Sequence, residues 1–132
     1  MRKKALICVD DEPIILDSLR EQLEKHYGDE YIYETADSAE EALEIIDELD
    51  DDNVEIAIIV SDWLMPGMKG DTFLLNVDLK YPRVVKVLLT GQADQKSIET
   101  LEELADRFAL IPKPWNKDEL VNVIKIGLEN NG

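Results

Sequence analysis

The sequence of 132 residues has one cysteine, few basic residues and no long apolar run. The single thiol, Cys8, cannot form an internal disulfide, and its place inside a predicted strand indicates a small buried hydrophobe. No apolar stretch approaches the ~20 residues needed to span a bilayer. The basic start, residues 1–4, precedes only a short apolar run, which excludes the apolar region of a signal peptide. We therefore expect a cytoplasmic protein.

Basic residues are scarce: 14 lysines and arginines stand against 30 aspartates and glutamates, and the formal net charge is −16. Nucleic-acid-binding proteins neutralise phosphates with a basic face, and anionic lipid surfaces attract basic segments. The charge therefore argues against direct binding to nucleic acid or membrane. Hydrophobic residues still make up 45% of the chain, which excludes a disordered composition. The length favours a single domain over residues 1–132.

Short apolar runs alternate with amphipathic stretches along the chain. We predict strands near 4–9, 31–35, 55–61, 84–89 and 108–111, and helices near 13–26, 38–49, 71–80, 94–105 and 117–129. This alternation favours βαβ units and a parallel sheet, that is, an α/β fold. The third strand is continuously apolar, which predicts a central place in the sheet. The second is more polar and is expected nearer an edge.

Local signals indicate where the helices begin and end. Pro13 suits a first helical turn, where its missing N–H costs little. Ser38, followed by Glu41, predicts a capping box at the start of the second helix. Residues 50–53, with the sequence Asp-Asp-Asp-Asn, predict a solvated acidic turn. Clusters of aspartate and asparagine can also bind calcium, but the glycine and the final glutamate of an EF-hand loop are absent here.

Four predicted strands lead into residues that can bind a metal ion or a phosphoryl group. These residues are Asp10 with Asp11, then Asp62, Thr90 and Lys113. Ligand sites of parallel α/β sheets lie at the carboxyl ends of the strands, so we expect these side chains to share one pocket. Carboxylates placed together raise one another's pKa unless a cation intervenes. Mg²⁺, which prefers carboxylate, phosphate and water oxygens, is the cation that this set favours.

Each of these residues also has a purely structural interpretation. Asp62, before the turn signal Pro66-Gly67, is a candidate nucleophile for an aspartyl-phosphate, but alone it equally suits a helix cap. Thr90 can donate to a phosphate oxygen or simply end a strand, and Gly91 would let the backbone approach a ligand closely. Lys113 can pair with a phosphoryl oxygen or be a solvated surface lysine. The spacings favour the shared site, since 28 and 23 residues are each close to one strand–helix–strand step of roughly 30 residues.

Taken together, these residues resemble the receiver domain of two-component response regulators. The resemblance covers about residues 3–129 and rests on Asp10-Asp11, Asp62 with Met65-Pro66-Gly67, Thr90-Gly91 and Lys113-Pro114. It implies a flavodoxin-like, doubly wound fold with five parallel strands in the order 2-1-3-4-5, flanked by five helices. It also implies a phosphoacceptor signalling switch rather than a turnover enzyme.

The resemblance implies a chemical role for the residues at the strand ends. Asp62 would accept a phosphoryl group from a sensor histidine kinase or a phosphotransfer protein. Asp11, Asp62 and the backbone carbonyl of Leu64 would bind Mg²⁺ directly, and Asp10 would act through a metal-bound water. Lys113 would hold a phosphoryl oxygen.

The resemblance also implies how the signal leaves the site. Thr90 would move to hydrogen-bond the phosphoryl group and carry the change to the fourth helix. The face built from the fourth helix, fifth strand and fifth helix would then meet an output domain, a downstream protein or a second copy of the chain. The sequence contains no output domain, so it is either a stand-alone regulator or the receiver of a longer chain, for which an N-terminal location is natural.

Two features depart from the pattern of many receivers. Leu110 stands three residues before Lys113, where an aromatic switch residue is common, and nearby Phe108 is expected to point elsewhere on the strand. Leu64 and Gln92 flank the expected path of hydrolytic water. Because an apolar side chain cannot orient water, Leu64 leads to the hypothesis of slow autodephosphorylation.

Two other functions stay open at this point. A Mg²⁺-dependent phosphatase with an aspartate nucleophile usually carries a second acid two residues after the nucleophile, where this chain has Leu64. A receiver-like binding module that acts without phosphorylation would not need the intact set of three aspartates, Thr90 and Lys113. Turnover of a small phosphate ester would favour the phosphatase.

Overall fold

The computed structural model of the chain describes residues 2–91 and 95–131, without the side chains of residues 95–98 and 131. All five strands belong to one sheet, in the order β2-β1-β3-β4-β5, and every neighbouring pair is parallel. The strands are β1 (Lys4–Val9), β2 (Ile32–Ala36), β3 (Glu55–Asp62), β4 (Val85–Thr90) and β5 (Ala109–Pro112). The predicted strand order, the central third strand and the edge position of the second are therefore confirmed.

A helix follows each strand, as predicted. The helices are α1 (Pro13–Tyr27), α2 (Ala39–Asp51), α3 (Gly70–Lys80), α4 (Gln95–Ala105) and α5 (Lys117–Asn131), and a short 3-10 turn at Gly28–Glu30 follows α1. No helix within the described residues has the length and apolar character that crossing a membrane requires.

The core lies on both faces of the sheet because side chains alternate along each strand. In β1, Ala5, Ile7 and Val9 pack into a cluster shared with α2, α3 and α4. Leu6 and Cys8 point to the other face and pack with α1 and α5. Burial raises the pKa of the Cys8 thiol to about 12. The prediction of Cys8 as a small buried hydrophobe is confirmed.

Helix α2 begins where the sequence predicts but ends later. The Ser38 hydroxyl accepts a hydrogen bond of 3.1 Å from the backbone N–H of Glu41, which caps the first turn. The helix then runs through Asp51, since Leu49 is still buried against the core. The predicted acidic turn is therefore wrong for Asp50 and Asp51. The chain turns only at the last two of these residues, where Asn53 adopts the left-handed conformation with φ 61°.

Strand register brings the predicted site residues to one edge of the sheet. Val9 pairs with Ser61, so the two residues that follow them, Asp10 and Asp62, leave adjacent strands side by side. On the other side of β3, Asp62 pairs with Leu89, the neighbour of Thr90. The carboxyl ends of β1, β3 and β4 therefore form a continuous rim above the core.

Candidate functional site

Three carboxylates converge at this rim. One oxygen from each of Asp10, Asp11 and Asp62 lies within 4.8 Å of the other two. Asp10 is fully buried and Asp62 nearly so, whereas Asp11 is exposed. The three oxygens thus form a cluster that is closed on the protein side and open to solvent at Asp11. Hard oxygen donors of this kind, with room left for water, suit Mg²⁺.

The Asp10 side chain is held in place from two directions. Its Oδ1 accepts a hydrogen bond of 2.9 Å from the backbone N–H of Glu12, which forms a turn ahead of α1. Its Oδ2 accepts a hydrogen bond of 2.9 Å from Nζ of Lys113. Because both oxygens already have donors, Asp10 is less free than Asp11 to turn toward a metal ion.

Lys113 joins two of the carboxylates. Its Nζ lies 2.9 Å from Asp10 Oδ2 and 3.0 Å from Asp62 Oδ1, and its side chain is only 16% exposed. Burial alone would lower the pKa of the ammonium, but the hydrogen bonds to Asp10 and Asp62 outweigh it and raise the pKa. Lys113 is therefore a fixed positive charge at neutral pH. The alternative interpretation of Lys113 as a solvated surface lysine is therefore wrong.

The surroundings of Asp62 disfavour its negative charge. Burial raises the pKa of its carboxyl group, and the charges of Asp10 and Asp11 act in the same direction. The hydrogen bond from Lys113 lowers the pKa but does not compensate. The single positive charge of Lys113 does not balance the negative charges of three clustered carboxylates. The residues of this site therefore suit the binding of an additional divalent cation.

Tight backbone packing fixes the position of Asp62. The Ser61 hydroxyl donates a hydrogen bond of 2.9 Å to the Asp62 carbonyl oxygen. A Cβ atom at Gly70 would stand 2.0 Å from that same oxygen, so α3 can begin against the end of β3 only with glycine there. Between them, the Gly70 N–H donates a hydrogen bond of 2.7 Å to the Trp63 carbonyl and closes the loop.

Leu64 lies on this loop, which we define as the β3–α3 loop, residues 63–69. Its side chain is 54% exposed, so it lies at the rim of the site rather than inside it. An exposed leucine offers no hydrogen bond to a water molecule near Asp62. The role of the Leu64 carbonyl as a metal ligand stays a prediction.

Thr90 lies at the end of β4 and faces β5. Its side chain is buried, and its hydroxyl donates a weak hydrogen bond of 3.5 Å to the carbonyl of Ile111. The Thr90 carbonyl in turn accepts a hydrogen bond of 2.7 Å from the backbone N–H of Lys113. Gly91 has open space where a Cβ would be, as far as the described residues reach. Gln92, the other predicted neighbour of the hydrolytic water, lies outside the described residues.

The two residues considered for an aromatic switch share one environment. Leu110 is half-buried and packs against the cluster below α2, α3 and α4, and Phe108 is buried within that cluster. The prediction that Phe108 points elsewhere on the strand is wrong, because Phe108 lies just before β5 and is buried in the same cluster against which Leu110 packs. Phe108 belongs to the core, two residues further from Lys113 than Leu110 is.

Sequence reasoning missed two contacts that hold the loops of the site. The Glu40 carboxylate accepts a hydrogen bond of 3.2 Å from the backbone N–H of Met68 in the β3–α3 loop. The indole N–H of Trp115, two residues after Lys113, donates a hydrogen bond of 2.7 Å to Gln22 on α1. These pairs are separated by 28 and 93 residues, so no local pattern indicates them.

Two characterised relatives are similar to nearly the whole chain. The hydrogenase transcriptional regulatory protein HoxA of Cupriavidus necator is 28% identical over 99% of this chain, which spans 25% of HoxA. The sensor kinase CckA of Brucella abortus is 31% identical over 94% of this chain, which spans 12% of CckA. The chain therefore spans a quarter or less of each of these relatives.

A solved structure and a family model agree with this similarity. The response regulator receiver domain protein of Methanospirillum hungatei is 30% identical and superimposes with a TM-score of 0.78, covering 99% of this chain and 97% of that one. The family model of the response regulator receiver domain matches residues 6–125. The chain therefore belongs to the response regulator receiver domain family, whose members are phosphoacceptor signalling switches rather than classical enzymes.

Proposed function

We propose that Asp62 is the phosphoacceptor of this domain. The observation that carries the proposal is the bridge from Lys113 to both Asp10 and Asp62, at 2.9 and 3.0 Å. This bridge places the Lys113 ammonium beside the Asp62 carboxylate. Burial and the charges of Asp10 and Asp11 make the ionised form of Asp62 unfavourable.

The reaction is a phosphoryl transfer whose main requirements are position and charge. An oxygen of the Asp62 carboxylate forms a bond to phosphorus while the P–N bond of a donor phosphohistidine breaks. The bonding electron pair stays on the imidazole nitrogen, which takes a proton from solvent. Lys113 offsets charge on the phosphoryl oxygens, and the buried Asp10 holds the Lys113 ammonium in place. Such transfers rely on positioning and electrostatics more than on covalent catalysis.

We propose Mg²⁺ as the cofactor, held by Asp11 and Asp62 with the carbonyl of Leu64, and by Asp10 through water. The convergence of three carboxylate oxygens within 4.8 Å supports this assignment. The ion, when bound, supplies positive charge that offsets the phosphoryl oxygens. Asp10 suits an indirect role because both its oxygens already accept hydrogen bonds from Glu12 and Lys113.

Thr90 is the proposed start of the signal. Among the residues that the structure describes, its hydroxyl makes only the 3.5 Å hydrogen bond to Ile111, which costs little to exchange for a charged phosphoryl oxygen. Its carbonyl is bonded to Lys113, so movement at Thr90 is coupled to the segment that contacts the phosphoryl group. The acyl phosphate carries about −1.5 to −2 charges where the carboxylate carried one, and this larger charge, with three further acceptor oxygens, biases a two-state element such as the face formed by α4, β5 and α5.

The proposed phosphoryl donor is a sensor histidine kinase or a phosphotransfer protein in the cytoplasm. The relatives are a transcriptional regulator and a sensor kinase, both several times longer than this chain. We propose that residues 1–132 form one receiver domain, with its core at about 3–129. It acts on an output domain, a downstream protein or a second copy of itself, and its chemistry is limited to its own phosphorylation and dephosphorylation.

Phosphotransfer tests the acceptor directly. The protein is incubated with acetyl phosphate, with and without Mg²⁺, and its intact mass is measured. We expect one phosphoryl adduct that requires Mg²⁺ and is absent from Asp62→Asn. Asp106→Asn is the matched control, because Asp106 is exposed just before β5, at the opposite edge of the sheet. It removes the same charge and should leave the adduct unchanged.

The possible results separate the three functions. An equal adduct on Asp62→Asn would refute Asp62 as the acceptor. Absence of any adduct on the native protein would support a binding module that acts without phosphorylation. Continued hydrolysis of a small phosphate ester such as p-nitrophenyl phosphate, abolished by Asp62→Asn, would support a phosphatase instead.

A further inference from the structure

We propose that Glu40, on the first turn of α2, is a positioning residue for the β3–α3 loop and, through that loop, for Mg²⁺ binding. The inference rests on the proposed function, since it assigns to the loop the Leu64 carbonyl as a ligand. Glu40 itself is exposed and does not belong to the carboxylate cluster. Its proposed role is to hold the backbone that presents a ligand, not to bind the ion.

The two ends of the loop are fixed by backbone hydrogen bonds. The Trp63 N–H donates to the carbonyl of Leu89 at 3.0 Å, and the Gly70 N–H donates to the carbonyl of Trp63 at 2.7 Å. The residues between these anchors include Leu64. Within the described part of the chain, the carboxylate of Glu40 is the one side-chain acceptor from outside the loop that bonds to this stretch of backbone, at Met68 N.

Gly67 lets the loop backbone pass close to the Glu40 carboxylate. Its φ of +82° lies in the left-handed region that glycine adopts without strain. A Cβ atom there would stand 3.1 Å from Oε1 and 3.6 Å from Oε2 of Glu40. The carboxylate therefore lies directly against the bare Cα of Gly67 while it accepts the hydrogen bond from Met68. Hydrogen bonding and steric fit both select one loop conformation.

The segment that carries Glu40 is also tied to the metal side of the site. Ala36, at the end of β2, accepts a hydrogen bond of 3.1 Å from the backbone N–H of Asp10. Ser38 then caps α2 and fixes the direction of its first turn. Residues 36–40 thus contact Asp10 at one end and the β3–α3 loop at the other. This short connection links Asp10 to the loop.

Loss of the Glu40 contact should lower the fraction of molecules whose loop is ready to bind the ion. Apparent affinity falls in proportion to the competent fraction. Because the hydrogen bond is exposed, its effect is that of a modest single bond, a roughly two- to fivefold weaker Mg²⁺ affinity. The Met68 amide should also exchange its hydrogen faster, because its acceptor is gone.

Three variants separate positioning from charge. Glu40→Ala removes both the acceptor and the negative charge, whereas Glu40→Gln removes the charge but keeps an amide oxygen as acceptor. Glu44→Ala is the matched control, since Glu44 is exposed one turn further along α2 and its side chain makes no hydrogen bond or ion pair with the residues described. Mg²⁺ affinity is measured by calorimetry, and Met68 amide exchange by NMR.

We expect weaker Mg²⁺ binding and faster Met68 exchange in Glu40→Ala, near-native values in Glu40→Gln, and no change in Glu44→Ala. Equal losses in Glu40→Ala and Glu40→Gln would overturn the inference in favour of long-range charge. Native Mg²⁺ affinity in Glu40→Ala would overturn it as well, while leaving the proposed function intact. Failure of the unmodified protein to bind Mg²⁺ would instead overturn both, so the two failures are distinguishable.

Discussion

Removal of Lys113 should expose how strongly the carboxylates of the site repel one another. In Lys113→Met the aliphatic stem remains, but Asp10 and Asp62 lose the cation at 2.9 and 3.0 Å. Breaking a buried ion pair by deleting one partner costs about 3–5 kcal/mol, and we expect about 3 kcal/mol because the site opens to solvent at Asp11. The variant should fold but unfold at a lower urea concentration at pH 7.

The pH dependence of this loss follows from the two pKa shifts. The pKa of Lys113 is raised in the folded protein, so its stabilisation is fully present below its ordinary value of 10.5 and is lost as pH rises through the raised value. The pKa of Asp62 is also raised, above 3.8, and without Lys113 it should rise further. Its charge then penalises folding at neutral pH, and acidification toward 3.8 removes the penalty. The difference between variant and native protein should therefore be largest near neutrality.

The assay is urea unfolding followed by tryptophan fluorescence at several pH values, with the free energy of unfolding obtained by linear extrapolation. Lys125→Met is the control, because Lys125 is exposed on α5 and such surface changes usually stay within about 0.5 kcal/mol. A loss below about 1 kcal/mol for Lys113→Met at pH 7 would refute the argument. So would a loss that stays the same on acidification, since the carboxylate repulsion would then not be its cause.

Four further predictions follow from the same geometry. Asp62→Asn should raise the melting temperature of the metal-free protein at neutral pH, because burial and Asp10 make the Asp62 charge unfavourable, and an unchanged or lower melting temperature would contradict this. Mg²⁺ at a hundred times its dissociation constant should stabilise the native protein by about 2.7 kcal/mol in urea unfolding, and much less in Asp62→Asn; equal stabilisation of both would exclude Asp62 as a ligand. Gly70→Ala should destabilise the fold by about 3 kcal/mol in the same assay, because its Cβ would stand 2.0 Å from the Asp62 carbonyl oxygen, and near-native stability would disprove that packing. The phosphorylated protein should lose its phosphoryl group slowly by intact mass, and Leu64→Asn, which can orient water, should accelerate that loss; rapid loss from the native protein would reject the idea.

The sequence predicted the elements well because each carries a local signal. Alternating apolar runs and 3.6-residue periodicity depend only on neighbours along the chain. The Ser38 cap and the first-turn Pro13 are equally local, and both are confirmed. The predicted end of α2 failed at Asp50 and Asp51, where local composition favours a turn. Burial of Leu49, a tertiary effect, extends the helix past them.

The residues of the candidate site were also identified in advance, since each follows an apolar strand and parallel strands end at one edge. The order of these residues along the chain could not predict the distances between their side chains. The bridge of Lys113 to both Asp10 and Asp62 depends on strand register and burial, and so do the raised pKa values of Asp62 and Lys113. The orientation of Thr90 toward Ile111 depends on the same packing.

The sequence by itself determined the α/β fold, the family resemblance and the set of polar residues at the strand ends. Periodicity and spacing depend only on the order of residues along the chain. Only the tertiary structure decided which of these groups touch, and it added contacts such as that of Glu40 with Met68 across 28 residues. It also placed Phe108 in the core beside Leu110, against expectation. The physical reason is that long-range hydrogen bonds, burial and charge proximity arise only when distant segments meet in the folded chain.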